Sequence, residues 1–188
     1  MVDEGGVPHI GRKPMMYRSA YGTKVGKGCG VIRLSVSDAK LHCHHTAPEE
    51  GWSISLSDIV LIAEYTTDEG PHLDDYFLVF VTREQGEFYY SNVTMYAAGI
   101  NESLTVLERI LGCSLDLTLH SSTRWSSRVV WPLKLAGAAY FRYDQVVPEG
   151  FWDRVRSRVQ GKRIESHVAD SICEYLAALS QPQMNQES

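Results

Sequence analysis

Between Gly30 and Val93 the apolar residues come in short runs of β character, each closed by a turn signal, and at Asn101 that pattern changes abruptly. This switch of period constrains the fold more than any other feature of the chain. Val31–Val36 leads through Ser37-Asp38 into Lys40–His45, the pattern of a hairpin. Trp52–Leu56 alternates large apolar with small polar residues, as a half-buried strand does. Ile59–Tyr65 and Tyr76–Thr82 are rich in β-branched and aromatic residues, which suits buried strands. Glu87–Val93 follows a turn at Gln85-Gly86, so the stretch predicts five to seven antiparallel strands. In Asn101–Leu111, by contrast, Leu104, Leu107, Ile110 and Leu111 recur at helical spacing. Asn101 fits an N-cap and Gly112 a C′ position, so one amphipathic helix is expected to lie against the sheet.

The flanks read differently. Residues 1–28 hold many glycines with Pro8 and Pro14, the composition of an extended arm, in which Met15–Tyr21 could add an edge strand. Ser114–Leu119 reads as a further strand, and Pro132 ends any regular element after the polar stretch Ser121–Ser127. Beyond it, Phe151, Val155 and Val159 fall at i, i+4 and i+8, and a second helix is expected over Glu165–Leu179. The expectation is an α+β chain: an arm at 1–28, a β-rich domain at 29–132 forming an antiparallel barrel or sandwich closed by one helix, and a helical C-terminal extension at 133–188.

Three segments carry a family resemblance. Ile54-Ser55-Leu56-Ser57-Asp58-Ile59 is followed by Thr66-Thr67-Asp68-Glu69-Gly70-Pro71 and then by Asp75-Tyr76-Phe77. This order resembles a group of small uncharacterised bacterial proteins in which a strand ends in a Thr-Thr-Asp-x-Gly-Pro turn. The Leu104–Gly112 helix, Ser121-Ser122-Thr123 and Trp131 are similar in order. The resemblance implies no activity. Strands followed by one amphipathic helix also look like the pleckstrin-homology superfold, a bent barrel plugged by a helix, and such a fold does not dictate a function.

Net charge is −5, with 18 Lys and Arg against 23 Asp and Glu. That balance speaks against a generic nucleic-acid binder. Resolved along the chain it hides two opposite stretches. Residues 64–87 carry seven acids against Arg83 alone, whereas residues 124–163 carry nine Lys and Arg against three acids. Each stretch is six charges from neutral, so a basic helix at 154–163 with Arg154 and Arg158 could meet an acidic loop within the fold, between copies, or on a partner. No zinc-finger, RNP or phosphate-loop spacing supports nucleic acid, and Gly22–Gly28 lacks the Walker pattern. The longest apolar runs, Ile59–Ala63 and Phe77–Val81, fall far short of the ~20 residues that span a bilayer. The N-terminal residues have no secretory pattern, and Cys29, Cys43, Cys113 and Cys173 form no CxxC pair, so reduced thiols and a cytoplasmic location are expected.

Three clusters could carry chemistry. In His42-Cys43-His44-His45 a strand would put His42 and His44 on one face, where they could supply two nitrogens to a metal. A third ligand would have to come from a carboxylate such as Asp74 or Asp75, making a metal protein or metal-dependent hydrolase the rival reading. Leu41 and Cys43 would then point inward, which favours a solvated polar face for the histidines. The second cluster is the loop holding Asp68, Glu69, Asp74 and Asp75 around His72 and a Gly-Pro turn. Its spacing is not that of an EF-hand, and it reads as a turn or partner contact. Ser122 with His120 lacks the nucleophile-elbow pattern, so backbone capping by the hydroxyls is expected. The favoured expectation is a non-enzymatic module, without a cofactor, that binds a protein or a second copy of itself through the acidic loop 68–75 and the basic segment 154–163.

Overall fold

A computed structural model describes residues 16–19, 32–46, 51–67, 74–145 and 164–180. Six strands fall inside the predicted β region: β2 (Arg33–Ser37), β3 (Lys40–His44), β4 (Trp52–Ser55), β5 (Ile59–Thr66), β6 (Tyr76–Glu84) and β7 (Glu87–Thr94). β1 (Met16–Ser19) precedes them and β8 (Ser126–Trp131) follows. Two hairpins turn as the sequence demands. Asp38 and Ala39 (φ 50° and 56°) join β2 to β3, and Gln85 and Gly86 (φ 52° and 84°) join β6 to β7. Positive φ at both central residues gives the turn twist that matches paired strands.

The strands form a three-stranded sheet in the order β2-β3-β4 and a five-stranded sheet in the order β1-β7-β6-β5-β8. All pairings are antiparallel except the parallel pairing of β1 with β7, at the edge of the larger sheet. Leu34, Leu41 and Ile54 of the small sheet pack on Ile62, Leu78 and Phe80 of the large one. Trp52 Nε1 also donates across the gap to the Asn92 carbonyl at 3.3 Å. The two sheets are therefore layers of a sandwich and do not close into a barrel. β6 gives the reason: Tyr76 through Thr82 are all buried, so both of its faces are covered. A strand in a small barrel plugged by a helix would bury alternate residues only.

α1 (Ile100–Leu111) joins the same core through Ile100, Ser103, Leu104 and Leu107. Its N-cap is Gly99, not Asn101. A Cβ at Gly99 would sit 2.4 Å from the Leu34 carbonyl oxygen, and φ is +80°, so this close approach requires glycine. The buried stripe runs through Ile100, Leu104 and Leu107, and Ile110 lies at its margin, 54% exposed. At the other end Gly112 (φ 66°) donates its N–H to the Glu108 carbonyl, the expected stop signal.

The second face of the large sheet is covered by C-terminal residues. β9 (Phe141–Gln145) pairs antiparallel with β10 (Ile164–Val168), and α2 (Asp170–Ser180) follows. Ile172 and Leu176 of α2 are buried with Leu61, Ala63, Val79, Val81, Val129 and Tyr140. Burying one such side chain contributes about 1.5–3 kcal/mol. Tyr175 adds a hydrogen bond to the Val60 carbonyl at 3.3 Å, and Lys134 Nζ lies 4.4 Å from its ring centre. The helical extension expected at 133–188 is therefore partly strand, and the helix expected over Glu165–Leu179 starts only at Asp170. The helix expected over Phe151–Gln160, and all of the arm except β1, lie outside the described residues. No helix among the described residues is long and apolar enough to cross a membrane.

Candidate interaction surface

The acidic and basic stretches meet inside the fold. Glu64 on β5 stands opposite Arg128 on β8 and near Tyr76, which pairs with Thr66 two positions along β5. Glu64 is 0% exposed. Its Oε1 accepts from the Thr118 N–H at 2.9 Å and faces Arg128 Nε at 3.6 Å. Its Oε2 accepts from the Leu119 N–H at 3.2 Å and from the Tyr76 hydroxyl. Arg128 completes the cluster by donating to Thr118 Oγ1 and to the Asp116 carbonyl. Burial, then the hydrogen bond to Glu64, holds the Tyr76 phenol well above the ordinary tyrosine range, so Tyr76 remains a donor.

A carboxylate has about four acceptor positions, and here they are taken by neighbours within the chain. None is left to move a substrate proton, so Glu64 acts as a clamp that fixes residues 115–119 over the sheet. The same bonds explain why Ser114–Leu119 is not the expected strand. Glu64 takes the N–H groups of Thr118 and Leu119, and Glu108 takes that of Leu115 at 2.8 Å. Sequence reasoning missed this cluster, although one acid inside the apolar run Ile59–Tyr65 was a usable signal.

The acidic loop rises from the same end of the sheet. Its neck is closed by the Thr67 N–H donating to the Asp75 carbonyl at 2.8 Å. Thr66 Oγ1 donates to the Arg124 carbonyl at 2.7 Å, tying the neck to the segment before β8. Tyr96, 64% exposed, donates its hydroxyl to Asp75 Oδ1 at 2.9 Å. That hydrogen bond is the main reason its phenol titrates above the usual value. Asp74 and Asp75 are half-buried, whereas Asp68, Glu69, Arg154 and Arg158 lie outside the described residues.

His42 and His44 lie on the outward face of β3, while Leu41 and Cys43 point into the core. Their rings stack at 5.9 Å with 19° between planes. Among the described residues no group of three or more His, Cys, Asp or Glu side chains could hold a metal, so Asp74 and Asp75 are not brought to the histidines. Burial pushes the Cys43 thiol up to about 12, which makes it a poor nucleophile and a poor ligand. Neighbouring outward positions carry serines: Ser35 and Ser53 stand opposite His42 on either side. Ser122 Oγ donates to the Arg124 carbonyl at 3.1 Å, a backbone cap that directs its proton away from His120.

No protein-family model matches the chain, and no curated protein or solved structure is significantly similar to it.

Proposed function

We propose that this chain is a non-enzymatic interaction module, cytoplasmic and of the bacterial group it resembles. It would engage a protein partner or a second copy through the acidic loop 68–75 and the basic segment 154–163. The reading is supported chiefly by the neck of the loop. Thr67, Asp75 and Tyr96 hold together the two ends from which a strongly acidic loop departs. A loop held at its base loses less freedom on binding, which favours recognition over a structural spacer. Glu64, the fully buried acid of this end among the described residues, is taken up by the clamp, so it offers no general base to a rival hydrolase reading.

Size-exclusion chromatography across a salt range tests the proposal, because exposed charges are screened within about 8–10 Å at physiological ionic strength. An assembled form should appear at low salt and be lost in Asp74→Lys with Asp75→Lys, and in Arg154→Glu with Arg158→Glu. An assembly indifferent to salt and to both pairs of substitutions would overturn it.

A further inference from the structure

We draw no further inference here: the strongest candidate, the row of half-buried aromatic rings Tyr65, Phe141, Tyr143 and Trp125 that begins on the second face of the large sheet, carries none because nothing among the described residues shows what covers it.

Discussion

Replacing Glu64 by leucine removes the acceptor on which four groups converge. The Thr118 and Leu119 N–H groups and the Tyr76 hydroxyl would each lose a partner, at about 1–3 kcal/mol apiece if they stayed dry. Arg128 would lose its anion, and breaking a buried pair from one side costs about 3–5 kcal/mol. Two effects reduce the sum. The Arg128 side chain is 21% exposed and can turn to water, and leucine gains about 1.5–3 kcal/mol by burial. The expected net loss is about 3–5 kcal/mol, read as a lower urea midpoint at unchanged slope and a melting temperature lower by about 10 °C. Amide exchange at Thr118 and Leu119 should accelerate more than at Val79 in the centre of the sheet. Combining Glu64→Leu with Arg128→Met should cost less than the two single changes added together, because both act on one network. A Glu64→Leu loss below about 1 kcal/mol, or unchanged protection at Thr118 and Leu119, would refute the clamp.

Three further outcomes follow from single residues. Tyr140 is wholly buried and its hydroxyl has no hydrogen-bond partner among the described residues, so Tyr140→Phe should leave stability unchanged or raise it by about 1 kcal/mol in urea melts; a loss above that would reveal a partner for the hydroxyl. Cys43, pushed up to about 12 by burial, should resist alkylation at pH 8 while exposed Cys173 reacts, as peptide mapping would show. Because its folded value lies above its ordinary 9.0, the native state holds this proton more tightly; its contribution is complete below about pH 9 and declines as pH rises toward 12, so alkaline melts of Cys43→Ala should lose less stability over that window. Gly99→Ala should destabilise by well over the roughly 1–2 kcal/mol expected of Gly112→Ala, since both have positive φ but only Gly99 meets a backbone oxygen; equal losses by thermal denaturation would contradict the close approach to Leu34.

Legibility in the sequence followed the range of the interactions. β2 to β7 and α1 were readable because their periods and turns are local, and each turn residue sits where its φ requires. β8 was not, since Ser126-Ser127-Arg128 reads as a polar loop until paired with β5. Ile164 and Val168 fit a helical stripe as well as a strand, and only pairing with Phe141–Gln145 decides between them. Asn101 is the better cap by side-chain chemistry, yet the approach of Leu34 to Gly99 overrides it. The charged clamp was half legible. An acid in an apolar run calls for partners, but two of those partners are main-chain groups 54 and 55 residues away, which no side-chain pattern announces.

The double covering of the five-stranded sheet also sets an order of events during synthesis. One face is matched by β2 to β4 and α1, which are close in sequence to the strands they cover. The other face, with Leu61, Val79, Val81 and Val129, is covered by Ile172 and Leu176. Translation at about 5–20 residues per second leaves roughly 2–8 s between the end of β8 and the arrival of Ile172. During that interval the nascent chain has only Tyr140 and its neighbours to cover this apolar face. The apolar surface of this fold is most exposed in those seconds, before the C-terminal helix closes over it.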